Sequence, residues 1–410
     1  MVTVWDIAVI GAGAAGLMAA LRAAELGQRV LLLEKNRRPG VKILMSGGTR
    51  CNITHATDNR GIVEAYGPPG RFLHSALAAF SVQDTIDFFE SEGVLTKVEE
   101  TGKIFPVSNK AADVLDALLR RLDRSGATLA LGEPVLDISR GESVFTLMTP
   151  SRAISARRVI LTTGGQSYPG SGTTGDGYRF VAKFGHTIVP PRPALVPITV
   201  FAPWVGELRG LTIPDVKVRV LDRQQALAGR RGSLLFAHFG LSGPVILDVS
   251  RVVSKHPMPA TLFLELDFLP DDKEASVDEF LRSESLASGK KQLAGVLSDR
   301  LPRRLCEALL TVAEMPPDRK AAGLSKPERA HLARALKRLM LMVTGTLGFG
   351  RAEVTAGGVS LDEVDSRSMR SKIVLDLFVA GEILDLDGPI GGYNFQAAWS
   401  TGWLAGTKAV

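Results

Sequence analysis

The sequence predicts an α/β chain in which one mixed domain, discontinuous in sequence, is interrupted by a β-rich and then a helical subdomain. Three observations carry this. A short apolar run near the N-terminus leads into a glycine-rich turn and a helix of small residues. Apolar–polar alternation then dominates residues 191–272, and helical periodicity residues 273–344. Beyond 345 an apolar run, a glycine-rich loop and an apolar helix return. The expected division is therefore 1–190 with 345–410, then 191–272, then 273–344. At 410 residues the chain can bury a core in each part.

Taken in order, Trp5–Ile10 reads as a buried strand, Ala14–Gly27 as a helix and Arg29–Leu33 as a second strand, together a βαβ unit. Helical spacing recurs at Ser81–Glu92 and Ala111–Ser125. Thr128–Ile154 breaks into short alternating pieces, which predicts an antiparallel meander, and Arg157–Thr163 is again strand-like. Pro190, Pro191 and Pro193 mark a boundary. Val216–Leu221 and Thr261–Phe268 alternate as strands. Ser276–Met342 reads as helical, broken at Pro316–Pro317 and at Ser325-Lys-Pro, and Leu375–Ala380 as a last strand before the final helix.

Composition excludes several classes. Two cysteines, Cys51 and Cys306, make no disulfide framework and suit a reducing cytoplasm. Six scattered histidines show no metal-ligand spacing, so no metal is expected. Ile7–Leu26 is apolar, but only Asp6 precedes it as a charge and its glycines suit a strand–turn–helix, so neither a signal peptide nor a membrane span is expected. The net charge of +6 is concentrated between Arg282 and Arg338, with 13 Lys/Arg against 6 Asp/Glu. That segment is either a footprint for a polyanion or a solvated helical face.

The strongest local signal is Gly11-Ala-Gly13-Ala14-Ala15-Gly16, directly after a strand and opening a helix. The first glycine permits the tight turn, the second the approach of a pyrophosphate, the third close helix–strand packing; the helix amides face the phosphates. Glu34 ends the second strand where an acid accepts hydrogen bonds from an adenosine ribose, with Lys35 beside it. This predicts a Rossmann-like dinucleotide site without separating NAD from FAD. The C-terminal end separates them: Phe378-Val-Ala-Gly381-Glu382 closes a strand and Gly391-Gly392-Tyr393-Asn394-Phe395 opens the last helix. An acid there suits a ribityl chain, and the helix start suits the negative charge of a reduced flavin ring. FAD is thus the predicted cofactor. A second GxGxxG, Gly170–Gly175, follows Pro169 rather than a strand, and reads with Thr162–Gly165 (Thr162, Thr163, Gly164, Gly165) as a loop packed over the cofactor.

These residues resemble the BaiN/RdsA family of flavoproteins, also called the YhiN family, over essentially the whole chain. The resemblance rests on Lys42–Asn52 (KILMSGGTRCN), Gly102–Pro106 (GKIFP), Thr163–Pro169 (TGGQSYP), Thr174–Tyr178 (TGDGY), His238–Pro244 (HFGLSGP), Thr355–Val359 (TAGGV), Ala380-Gly-Glu382 and Gly391–Gln396 (GGYNFQ). It implies a two-dinucleotide-binding-type flavoprotein domain, carrying β-barrel-like and helical insertions, with FAD bound. Reactions of dihydrouridine-synthase type on ribosomal RNA, or of reductase type on steroid-like molecules, are also implied. One departure stands out: Thr49 replaces a glycine usual in the family, and its Cβ is expected to disfavour a left-handed backbone in that loop.

The expected chemistry is hydride delivery to an activated carbon–carbon double bond, with a protein acid supplying the proton. Cys51 is one candidate acid, although Lys42 and Arg50 nearby would favour its thiolate; packing in the flavin loop is the alternative. His238 is the other. Lys42, Ser46, Gly47, Gly48, Arg50 and Asn52 are candidates to hold the flavin or an anionic substrate. NAD(P)H is the expected transient electron donor. Arg300, Arg303, Arg304, Arg334, Lys337 and Arg338 would form an RNA-facing surface. Two alternatives are a small-molecule ene-type reductase and a non-catalytic flavin-containing RNA-binding protein.

Overall fold

The computed structural model describes residues 4–316 and 318–410. It forms two compact units, 1–193 with 353–410, and 194–352. Pro317, one of the expected helix breaks, lies outside the described residues.

The first unit is built on a twisted sheet in the order Val364–Asp365, Arg370–Ser371, Leu377–Val379, Ala153–Leu161, Val4–Ile10, Val30–Glu34, Thr128–Leu131. From Leu377–Val379 to Thr128–Leu131 the neighbours run parallel. The centre is buried on both faces, as in Ile7–Ile10 and Val30–Leu33. Thr128–Leu131 departs from the expected meander. The preceding helix Ala111–Ser125 ends on Gly126 in the left-handed region, and the chain then enters the sheet parallel to Val30–Glu34. Of the expected meander, Asp137–Arg140, Phe145–Met148 and the first half of Ala153–Leu161 do pair antiparallel.

Helix Ala14–Glu25 packs against the C-terminal helix Tyr393–Lys408. A Cβ at Gly402 or Gly406 would overlap the carbonyl oxygens of Ala15 and Ala19, which explains the small residues in both helices. The C-terminal helix is pinned by buried polar groups. Gln396 donates to Thr85 Oγ1 and Ser400 Oγ (both 2.9 Å) and accepts from Thr54 Oγ1 (2.6 Å), while Trp399 Nε1 donates to the Ile53 carbonyl (2.9 Å). Helix Val82–Ser91 starts with a capping box between Ser81 and Asp84.

The second unit is a closed six-stranded barrel in the order Ile198–Val200, Gly240–Ser242, Gln225–Ala237, Thr212–Asp222, Leu262–Asp267, Leu339–Thr346. Val216, Val218, Val220, Leu264, Leu266, Leu341 and Val343 share one apolar core with helix Pro244–Lys255 and helices Glu274–Ala287, Leu293–Leu297, Arg303–Val312 and Lys326–Lys337. The expected helical run to Met342 is corrected at its end: Leu339–Thr346 is a barrel strand. Its residues alternate buried and exposed, with Met340 and Met342 outward. Apolar methionines on the solvent side disguised the period of two. Among the described residues no helix is long and apolar enough to cross a membrane.

Candidate functional site

The glycine turn shows three different local environments. A Cβ at Gly11 would lie 2.7 Å from the Thr162 carbonyl oxygen, and one at Gly16 would overlap that of Gly11. A Cβ at Gly13 would meet nothing within 4 Å. Gly11 and Gly16 are therefore required by packing, whereas Gly13 borders open space at the start of a helix whose first amides no side chain caps. Glu34 braces this turn, its carboxylate accepting from the amides of Ala12 (2.8 Å) and Asn36 (2.9 Å). Lys35 turns to Asp176 and Thr174 (both 2.6 Å), and Asn36 donates to the Ser171 carbonyl (2.9 Å). These contacts fasten the Gly170–Gly175 segment to the end of the second strand. That segment holds a short turn at Pro169–Ser171 with no strand before it, unlike a second dinucleotide fold.

At the other end, Glu382 follows strand Leu377–Val379. Lys42 Nζ lies 2.5 Å from its Oε2 and donates also to Ser167 Oγ (2.6 Å). Glu382 Oε1 accepts from Ser167 Oγ (2.7 Å) and the Thr355 amide (2.9 Å). Thr355 Oγ1 in turn accepts from the amides of Gln166 (2.8 Å) and Ser167 (3.0 Å). A Cβ at Gly165 would overlap Thr355, and Gly381 (φ +80°) donates its amide to Thr401 Oγ1. Ser167 and Thr355 were not foreseen; both lie inside segments that carried the resemblance, but neither residue type announces a role.

Ser46–Asn52 forms a tight loop. Gly47, Gly48 and Thr49 are all left-handed (φ 55°, 66° and 68°), and so is Cys51 (φ 61°). Thr49 thus keeps the conformation a glycine would take, contrary to the expectation that its Cβ would reshape the loop. Its side chain is exposed, so the strain is confined to its own backbone.

Cys51 sits where packing in the loop accounts for it. The thiol is fully buried in the core, and burial pushes its pKa up to about 12. The two cations feared as thiolate activators are engaged elsewhere: Lys42 with Glu382, and Arg50 with Glu99 (2.6 Å) while lying over the Phe105 ring (3.9 Å). Arg50 is accordingly held on the small sheet carrying Phe105 rather than aimed from the loop.

The last helix is preceded by Gly391 and Gly392 (φ 126° and 99°), where a Cβ on Gly392 would overlap the Thr54 carbonyl; the N-cap glycine has no side chain with which to cap the helix. Tyr393 stacks on His55, 4.6 Å between centroids, and His55 Nδ1 lies 3.0 Å from the Gly391 carbonyl. His55 is a second residue that the sequence did not single out. The Asn394 side chain is committed to its own loop: its amide bonds both the amide and carbonyl of Gly388 (2.8 and 3.1 Å) and the Pro389 carbonyl (3.2 Å). Phe395 stacks on Trp399 one turn on and serves packing.

Among the described residues Asn52 Oδ1, Thr163 Oγ1 and the Tyr178 hydroxyl are buried without a hydrogen-bond partner. Burial and the carboxylates of Glu382 and Asp385 push the Tyr178 phenol well above its ordinary range. Uncapped helix starts at Gly13 and Gly392, an acid at each strand end and unmatched polar atoms fit a phosphate- and hydroxyl-rich ligand such as FAD.

In the second unit His238 is exposed at the turn between Gln225–Ala237 and Gly240–Ser242. The expected RNA-facing cations are mostly engaged. Lys337 is buried, paired with Asp267 (2.8 Å), and is withdrawn from that surface. Arg300 pairs with Asp272 (2.9 Å), Arg303 with Glu307 (2.9 Å) and Arg338 with Glu265 (3.3 Å), and Arg304 donates to the Glu207 carbonyl. Arg334 remains exposed.

Comparison with known proteins matches residues 5–408 to the family described as HI0933-like protein Rossmann domain. The chain is 34% identical over 402 residues to a ribosomal RNA dihydrouridine synthase of Escherichia coli (97% of this chain, 96% of the relative). It is 32% identical over 410 residues to a 3-dehydro-bile acid delta(4,6)-reductase of Clostridium scindens (98% of each). Among solved structures, a 3-ketosteroid-delta4-(5alpha)-dehydrogenase from Rhodococcus jostii shares the fold, with a TM-score of 0.50 at 16% identity over 99% of this chain and 96% of that one. By its match from end to end and by the fit of its site, the chain belongs to the HI0933-like family of FAD-dependent oxidoreductases.

Proposed function

We propose that this protein reduces an activated carbon–carbon double bond, with uridine of ribosomal RNA as the substrate and NAD(P)H as the electron donor. The observation that carries the reading is the pairing of two strand-end acids, Glu34 and Glu382, with two uncapped helix starts within one unit. Its support from kinship is that two full-length relatives are named for reactions that saturate such bonds.

In this reading the amides of Ala14, Ala15 and Gly16 hold the pyrophosphate of FAD, Glu34 the adenosine ribose and Glu382 the ribityl chain. Thr163, Gly164 and Gly165 line the cofactor, and the Ser46–Gly48 loop and the amides at Gly392 and Tyr393 border the ring. Bound there and reduced by NAD(P)H, FAD would supply the hydride. For uridine the hydride would reach C6 while a protein acid supplies the proton to C5. The helix start at Tyr393 places backbone N–H groups where negative charge accumulates.

The test is the dihydrouridine content of ribosomal RNA in a strain lacking this gene. Loss of one dihydrouridine, restored by the wild-type gene, is expected. Unchanged content would shift the assignment to a small-molecule enone reductase. The ion pairing of the basic helices is the observation behind that second reading.

A further inference from the structure

Among the charged residues of the candidate site, Lys42 is the one cation fixed directly on the strand-end acid Glu382. Two of its three ammonium hydrogens are committed, one to Glu382 Oε2 and one to Ser167 Oγ. Glu382 Oε1 is saturated by Ser167 and the Thr355 amide, whereas Oε2 accepts only from Lys42. The pair therefore leaves one ammonium hydrogen and one Oε2 lone pair uncommitted. With side-chain exposures of 26% and 19%, it is not sealed into the core.

We propose that Lys42 is a charge-compensating residue of the flavin site: it cancels the carboxylate charge that Glu382 brings to the cofactor and so sets the reduction potential. This rests on the reading of Glu382 as the ribityl acid. Reduction adds electrons, and negative charge, to the ring system. A bare carboxylate beside it opposes that change and an ammonium favours it, and in a partly desolvated site neither effect is screened as in water. Ser167 and Thr355 matter because they hold Glu382 in one orientation, so that its charge and that of Lys42 act as a fixed pair rather than as two mobile side chains.

The test is the midpoint potential of the purified FAD-loaded full chain, read spectroscopically against a redox dye, with FAD affinity measured separately. Lys42→Met should shift the potential more negative than wild type, and Glu382→Gln more positive. The double variant Lys42→Met with Glu382→Gln, neutral again, should return towards the wild-type value. Lys42→Arg should keep the potential while weakening FAD binding by about tenfold, the loss expected for one misplaced charge-assisted hydrogen bond. Potentials that stay put, or that move the same way in Lys42→Met and Glu382→Gln, would overturn the proposal and leave Lys42 a structural prop. If Lys42→Met retains no FAD, the opposite shift in Glu382→Gln with an unchanged Lys42→Arg decides the question. A wild-type chain that binds no FAD would overturn the reading of the site itself, and this inference with it.

Discussion

Gly406 lies directly against Ala19: a Cβ on the glycine would overlap the alanine carbonyl oxygen. The two helices that frame the glycine turn thus meet backbone to backbone, and the start of the first is positioned by the last helix of the chain. Gly406→Ala should force the helices apart and lower stability by about 1–3 kcal/mol, the usual cost of overpacking. Thermal unfolding reads this as a lower midpoint. An unchanged midpoint would mean that the contact is slack.

The glycine turn separates packing from binding. Gly13→Ala adds a methyl to open space at an ordinary φ of −84°. Stability should change by less than about 1 kcal/mol, while FAD affinity falls at least about tenfold because the methyl occupies the path of the pyrophosphate. Gly16→Ala, whose methyl would overlap the Gly11 carbonyl, should instead prevent folding. Titration of the apo protein with FAD, beside its melting curve, distinguishes the two. A Gly13→Ala variant that binds FAD like wild type would place the phosphates elsewhere.

Cys51 should behave as a core residue. Burial raises its pKa to about 12 against an ordinary value of 9.0. The folded state thus favours the neutral thiol, so this contribution to stability is complete below about pH 9 and is lost as pH rises towards about 12. Native protein should resist alkylation at pH 8 and react only on unfolding. Cys51→Ala should cost about 1–2 kcal/mol and leave turnover within a few-fold. A large loss of turnover with stability intact would restore it as a proton donor.

The pieces legible in the sequence were those in which chemistry and backbone coincide. Gly11 and Gly16 declare their roles because a Cβ at either would meet backbone, and the helix Ala111–Ser125 declares itself by its amphipathic period. Thr128–Leu131 misled because four residues cannot reveal whether their partner runs parallel, which the preceding helix decides. Leu339–Thr346 was hidden by outward methionines. Thr355 and His55 escaped because their roles depend on partners far along the chain, Gln166 and Ser167 for one and Gly391 and Tyr393 for the other. The basic segment was countable, but the acids that answer it, such as Glu265, Asp267 and Asp272, lie before it and meet it only on folding.

His186 supplies the last prediction. Its buried ring bridges Glu363 (3.1 Å from Nδ1) and Ser371 (2.8 Å from Nε2), and the same Glu363 carboxylate accepts from the Thr187 amide (2.8 Å). Burial lowers the histidine pKa from 6.5 despite the opposing pull of Glu363. With the folded pKa depressed, the unfolded chain binds the proton more readily. Stability from this group is therefore complete above about pH 6.5 and is lost as pH falls through the folded value. Denaturant unfolding at pH 7.5 and pH 5.5 should show a drop in wild type that is smaller in His186→Gln, whose amide can keep one of the two hydrogen bonds without titrating. The acidic side of the stability profile would then belong to a ring that ties Glu363 to the strand Arg370–Ser371, one strand in from the edge of the central sheet. An equal drop in both proteins would move that pH dependence to other groups, and His186 would be a neutral strut whose protonation never competes with folding.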